Sequence, residues 1–147
     1  MDPRSWSRRL GLLAAVACEA DPAQEPALLR EALAVLTVAP SLHAPRFAAL
    51  PRDDRFERLL ATGALESAAL ALLPADAAYI LSRGTQGIVL ASVVLDGEDQ
   101  ELAAEGATPG LALLAALAAA LEHALPACDA FSEYEKPRHP AHPACLH

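Results

Sequence analysis

Residues 79–95 read YILSRGTQGIVLASVVL, and residues 105–117 read EGATPGLALLAAL; together these two segments decide the fold. A short apolar run, 79–82, and a longer run rich in β-branched residues, 88–95, flank Gly84 and Gly87, a pattern that predicts a tight or bulged β-hairpin. The second run, 88–95, is apolar at almost every position. We therefore expect both of its faces to be at least partly covered.

The segment after the hairpin predicts a third strand and then a helix. Within 100–105, Leu102 and Ala104 occupy alternate positions and would point inward. Thr108 and Pro109 form a helix start, with Thr108 as N-cap and Pro109 at the first helical position. The helix carries almost no charge before Glu122, so we expect it to be buried on most sides, against the sheet.

The N-terminal half predicts helices punctuated by prolines. Alanine and leucine favour helix, and the spacing of the leucines predicts helices over about 5–20, 26–38, 53–62 and 64–73. The predicted fold class is α+β: a helix-rich N-terminal half and a small antiparallel sheet of two or three strands packed against the C-terminal apolar helix. We expect the helices of 56–73 to cover the sheet as well.

The predicted domain organisation is one α+β domain followed by a tail. Residues 1–125 form the domain, with 1–52 as a helical arm or subdomain and 53–125 as a helix–hairpin–helix core. Residues 126–147 contain four prolines and no hydrophobic periodicity, which predicts an extended or disordered tail.

The net charge of −8 arises entirely in the second half of the chain. Residues 1–60 carry eight arginines and eight acids, whereas 61–147 carry three basic residues and eleven acids. An acidic surface argues against nucleic-acid binding through the second half and suits a basic partner or simple solubility. Arg83 is isolated among these acids, and we expect it to form a salt bridge with the acidic loop 96–101.

No motif in the chain predicts catalysis. There is no GxSxG, no phosphate-binding loop and no evident base beside a serine. We predict a non-catalytic accessory or interaction protein, bacterial or phage-linked, whose partner is a protein or a second copy. If the sheet leaves the apolar helix incompletely covered, the predicted dimer surface is its leucine face, formed by Leu111, Leu114, Leu117 and Leu121.

The C-terminal tail carries an alternative function, metal binding. Imidazole and thiolate are the ligands that zinc prefers, although their spacing here matches no standard zinc module. The principal prediction is that the protein has no cofactor, with a zinc site in the tail as the alternative. The candidate ligands are Cys128, His139, His142, Cys145 and His147.

The predicted localisation is cytoplasmic. Three cysteines without a CxxC pattern are typical of a reducing compartment. An alternative arises because arginines precede the apolar run 10–18, which is typical of a signal that would leave an exported lipoprotein anchored at Cys18. The run is too short to span a membrane, so we predict no transmembrane segment. The competing interpretation is an amphipathic helix with Trp6, Leu10 and Leu13 inward and Cys18 as a small buried side chain.

The succession of helix, hairpin, acidic turn and EGATPGLALLAAL resembles the phage ABA sandwich domain, a family of small phage and prophage proteins. The resemblance covers about 55–125 and implies a small antiparallel sheet with a packed helix. The sequence departs from the family pattern in its strands, where Tyr79 is the only aromatic residue. The family has no established catalytic residues that could be assigned to positions of this chain.

Overall fold

The computed structural model describes residues 1–125 and shows five α-helices and three strands. Two short 3₁₀ turns, Pro22–Gln24 and Ala44–Phe47, interrupt the helical half. The α+β class and the third strand are confirmed. The elements in chain order are α1 (Pro3–Glu19), α2 (Glu25–Thr37), α3 (Asp53–Ala61), α4 (Leu65–Leu72), β1 (Ala78–Arg83), β2 (Val89–Val94), β3 (Leu102–Gly106) and α5 (Pro109–His123).

Local chemistry explains where these helices begin and end. The Asp2 carboxylate accepts a hydrogen bond from the Ser5 N–H and so caps α1. The Thr108 hydroxyl accepts the N–H of Leu111 at 3.1 Å, which confirms it as the N-cap of α5. Gly63 follows α3 with a φ of 73°, a conformation that glycine adopts at low cost.

The three strands form one antiparallel sheet in the order β1-β2-β3. Ile80 pairs with Ser92 across β1 and β2, and Ala91 pairs with Ala104 across β2 and β3. Because paired residues share a face, Val89, Ala91 and Val93 of β2 lie on the inner face, where all three are buried.

Helix α5 lies at the centre of the molecule. Its residues 110–118 are all buried, and the helix packs against β2 and β3 on one side and α1 on the other, with α4 also in contact. Alanines at 112, 115, 116 and 118 let these neighbours approach closely around the helix. The prediction that this apolar helix is buried against the sheet is confirmed.

The packing differs from the prediction for α3 and α4, and it shows where the N-terminal helices lie. The α3 and α4 helices were expected to cover the sheet, but α4 packs against α5, α2 and α3 instead. The N-terminal helices pack onto the core rather than projecting as an arm, and α1 supplies Trp6, Leu10 and Leu13 to it. The short loop before Pro109 brings α5 directly back over β3 and β2, which leaves no room there for α3 and α4.

Candidate protein-interaction surface

The turn between β1 and β2 sets which side chains face outward. The Gly84 N–H donates to the Ile88 carbonyl at 2.9 Å, and the Gly87 N–H donates to the Gly84 carbonyl at 3.2 Å. Gly87 has a φ of 80°, so the loop is a turn followed by a glycine bulge, as the two glycines predict. Gly84 and Ile88 therefore form a hydrogen-bonded pair, and such pairs recur at every second residue of an antiparallel ladder.

The outer face of the sheet carries exposed aliphatic side chains together with Ser82 and Ser92, and no helix of residues 1–125 packs over it. Ile80 is 65% exposed, Ile88 45% and Leu90 43%, while Val94 is half-buried beside them. An antiparallel sheet with one face in water usually carries polar residues on that face. Glu105 is the one charged side chain on this face of the three strands. We call Ile80, Ile88, Leu90 and Val94 the open face.

The prediction that both faces of β2 are at least partly covered holds fully for the inner face, whereas on the outer face Leu90 stays 43% exposed and Val94 is half-buried. The inner face is covered by α5, but no element of residues 1–125 packs over Leu90 and Val94. The apolar pattern of 88–95 was the one sequence signal that pointed to this surface. An apolar run predicts burial but does not say whether the same chain or another molecule provides the cover.

Strand β1 forms one edge of the open face. Five of its six residues are exposed, and Leu81 is half-buried. Because Gly84 pairs with Ile88, the even-numbered residues of β1 direct their backbone groups toward β2. The N–H and C=O groups of Tyr79, Leu81 and Arg83 therefore point away from the sheet, toward solvent.

The acidic loop pairs with a different arginine from the one predicted. Arg46 donates to the Asp96 carbonyl at 3.2 Å and lies 4.0 Å from the Glu98 carboxylate. Arg83 forms no salt bridge with any residue of 1–125, and its side chain lies exposed at the end of β1. The segment between α2 and α3, which we call the connector, brings Arg46 to the loop through the tertiary fold. The spacing in sequence does not reveal this juxtaposition.

The predicted leucine interface lies inside the molecule. None of its four members is more than 2% exposed, because α1 and α4 cover the sides of α5 that the sheet leaves free. The condition attached to that prediction, incomplete cover of the apolar helix, is not met in residues 1–125. The buried residues concerned are Leu111, Leu114, Leu117 and Leu121.

Cys18 is exposed near the end of α1, so its predicted burial is wrong. It lies one position beyond Ala17, and the helical rotation of about 100° per residue carries it off the buried face. The lipoprotein alternative stays a prediction, although it would remove Trp6, Leu10 and Leu13 from the core. No helix within residues 1–125 is both long and apolar enough to cross a bilayer.

All five candidate zinc ligands lie outside the described residues. Cys128, His139, His142, Cys145 and His147 belong to the segment 126–147, so the metal-binding alternative stays a prediction. Within residues 1–125, no group of three or more histidine, cysteine, aspartate or glutamate side chains is arranged to hold a metal ion.

Two surface depressions of the described chain lie in its helical half. A depression of about 320 Å³ is lined mainly by apolar residues of the connector and the end of α4, with Arg46 and Asp76 at its margin. Another contains Arg30 and Glu57, which form a bidentate ion pair with a shortest distance of 2.7 Å. The hydrogen bond with Arg30 lowers the pKa of Glu57.

One buried acid was not anticipated from the sequence. Glu25 is 3% exposed and lies against Gly110 in the first turn of α5. Burial raises the pKa of Glu25, a hydrogen bond with the Thr108 side chain lowers it, and nearby Glu66 raises it further. Because the carboxylate faces a helix N-terminus that already has a side-chain cap, we assign it a structural role.

Comparison with known proteins identifies no relative. No protein-family model, curated protein or solved structure matches the chain.

Proposed function

We propose that this chain is a non-catalytic accessory protein of the cytoplasm that acts by binding another protein through the open face of its sheet. The observation that carries the proposal is the exposure of Ile80, Ile88 and Leu90 on one face of the β1–β2 hairpin. Exposed apolar side chains are common singly, but a clustered set on a rigid sheet is typical of an interaction site.

The energetics of the open face favour cover by a partner. Fully burying an aliphatic side chain of this size contributes about 1.5–3 kcal/mol, so covering the exposed portion of each one contributes about 1 kcal/mol. The strands that carry these side chains are held by two ladders and by α5, so binding requires little ordering of the backbone.

The charge distribution bears on the class of partner. The whole net charge of −8 falls in residues 61–147, and Arg83 is the only arginine or lysine between residues 59 and 125. Phosphate backbones would be repelled by this half of the molecule. A protein with an apolar patch bordered by neutral or basic residues fits the open face better.

Site-specific photo-cross-linking tests the proposal in the native host. A photoreactive phenylalanine analogue replaces Leu90 on the open face, and a matched variant carries it at the exposed Glu31 of α2. We expect the probe at position 90 to form discrete cross-linked species with protein, either a second copy or another chain, and the probe at 31 to form none. Identical products at both positions, or none at 90, would refute the proposal.

The same experiment also detects whether the chain itself covers the open face. If residues 126–147 lie over the open face, the probe at position 90 will give an intramolecular product that mass spectrometry assigns to that segment. That result would also refute the proposal, because the apolar surface would then be part of the protein's own core. The resemblance to the phage ABA sandwich domain stays a prediction.

A further inference from the structure

The outer edge of β1 is an unfilled position in the sheet. Among residues 1–125, β2 is the only element that packs extensively along β1. The outward backbone groups of Tyr79, Leu81 and Arg83 therefore have no strand to pair with. Such an edge is a template for an added strand, because each unpaired N–H and C=O gains a partner.

The features that usually protect a strand edge are missing from β1. The strand has six residues, no proline, and a single charge at its last position, Arg83. Its bulge lies in the loop beyond Arg83 and leaves Ala78–Arg83 in unbroken register with β2. Natural sheets blunt solvent-exposed edges with charges, prolines or internal bulges, so an edge without them is expected to be occupied.

We propose that β1 pairs antiparallel with β1 of a second copy, so that the two sheets join into one of six strands around a two-fold axis. The inference goes beyond the proposed function, because the second copy joins at the edge of β1 and leaves the open face free to bind a partner. A two-fold axis perpendicular to the sheet is the operation that places two identical strands antiparallel in one sheet, and it keeps the helices of both copies on the same side.

The outward backbone groups select the register. Leu81 then lies opposite Leu81 of the second copy. In the same register, Tyr79 lies opposite Arg83 of the second copy, and Arg83 lies opposite Tyr79 of the second copy. All outward residues of β1 then lie in hydrogen-bonded pairs, which give about six backbone hydrogen bonds across the junction. The guanidinium of Arg83, which has no ion pair within residues 1–125, gains the ring of a tyrosine.

Helix α5 leaves room for this junction. Helix α5 packs over β2 and β3 rather than over β1. With strands about 4.8 Å apart, the two copies of α5 would be separated by about four strand spacings, or about 19 Å. A helix with its side chains is about 10–12 Å wide, so the two helices do not collide. The open faces of both copies would then lie on the same side of one six-stranded sheet.

Sedimentation equilibrium of the full-length chain tests the pairing. Tyr79→Pro removes an N–H that points outward and leaves the β1–β2 ladder complete, whereas Ala103→Pro makes the same change on the outward side of β3. We expect a wild-type dimer at micromolar concentration, a dissociation constant raised at least a hundredfold by Tyr79→Pro, and little change with Ala103→Pro. Circular dichroism verifies that both variants fold.

A second variant keeps the test decisive if the proline disturbs folding. Arg83→Ala changes one exposed side chain and removes two tyrosine contacts across the junction, so we expect the dissociation constant to rise about tenfold. A wild-type monomer would overturn the proposal. So would a dimer that tolerates both β1 variants, or one that Ala103→Pro weakens equally.

Disulfide trapping tests the register. In a background with the native cysteines replaced by serine, Leu81→Cys would place two thiols opposite each other at a Cα separation of about 5.5 Å, within disulfide range. Ile80→Cys would leave its thiols on a diagonal, about 7–8 Å apart at Cα. Rapid oxidation of the first variant alone supports this register, and preferential oxidation of the second overturns it.

The outcomes distinguish this inference from the proposed function. If the chain is monomeric but the probe at Leu90 captures a different protein, the pairing of two β1 strands fails and the interaction function stands. If the chain is monomeric and that probe captures no protein, both fail.

Discussion

His43 is a polar side chain placed in an apolar setting. It is 3% exposed, and its ring stacks on Trp6 with a centroid separation of 5.4 Å. Neither ring nitrogen has a hydrogen-bond partner within the described chain. Burial lowers the pKa of His43 below its ordinary value of 6.5, Arg46 lowers it further, and Glu98 acts in the opposite direction.

This environment makes stability depend on pH at one residue. Because the folded state holds His43 neutral, the unfolded chain binds the proton more readily, so the stability contribution is complete above about pH 6.5 and is lost as the pH falls below it. We expect His43→Phe to gain about 1 kcal/mol near neutral pH, because it keeps the stacking and removes the unpaired nitrogens. The advantage over wild type should grow between pH 7 and 5 in urea unfolding.

His43→Gln provides the matched control for that measurement. Glutamine does not titrate but retains polar atoms, so it should lose the same component of the pH dependence without the gain near neutrality. A His43→Phe variant whose advantage over wild type is constant from pH 7 to 5 would show that His43 does not titrate in this range.

At the scale of elements, the contact between β3 and α5 depends on Gly106. A Cβ at this position would lie 2.5 Å from the backbone nitrogen of Ala112 and 2.9 Å from the carbonyl carbon of Leu111. Backbone atoms cannot rotate away, so Gly106→Ala must separate the strand from the helix. We expect a loss of about 3 kcal/mol in the free energy of unfolding, measured by urea denaturation.

Gly84→Ala is the control, since a Cβ there would meet its nearest atom, the Ile88 carbonyl oxygen, at an ordinary 3.5 Å. We expect that variant to lose less than about 1 kcal/mol. Equal losses at the two positions would contradict the proposed role of close backbone approach at Gly106.

At the scale of the whole molecule, Trp6 reports whether the N-terminal helices belong to the core. Its indole N–H donates to the Val35 carbonyl at 2.8 Å, and its ring meets His43 and Phe47. Trp6 is the only tryptophan, so its fluorescence follows α1 and its neighbours alone. Because α1 packs along α5, we expect this fluorescence and the far-ultraviolet circular dichroism to change at the same urea concentration.

Two separated transitions would instead show that α1 and α2 unfold as a unit distinct from the hairpin and α5. Leu10→Ala offers a check within the same experiment. It removes a fully buried side chain of α1, and the expected loss of about 2–4 kcal/mol should move both signals together.

The sequence alone determined the elements and their order. Thr108 and Pro109 predicted the start of α5, Gly63 the end of α3, and the two glycines of the hairpin its bulged turn. These predictions succeeded because capping, proline geometry and left-handed glycine depend on a few neighbouring residues. The apolar pattern of 88–95 likewise identified β2 and indicated that both of its faces prefer cover.

Only the tertiary structure decided which of these apolar surfaces residues 1–125 cover themselves. Periodicity shows that a side chain prefers to be buried, but the neighbour that buries it depends on how distant segments pack. Helix α1 covers the leucines that were predicted to form an interface, and the open face of β2 is left without a neighbour in residues 1–125. Hydrophobic attraction is non-directional, so the arrangement of the whole chain, rather than any local pattern, decides which apolar surface stays exposed.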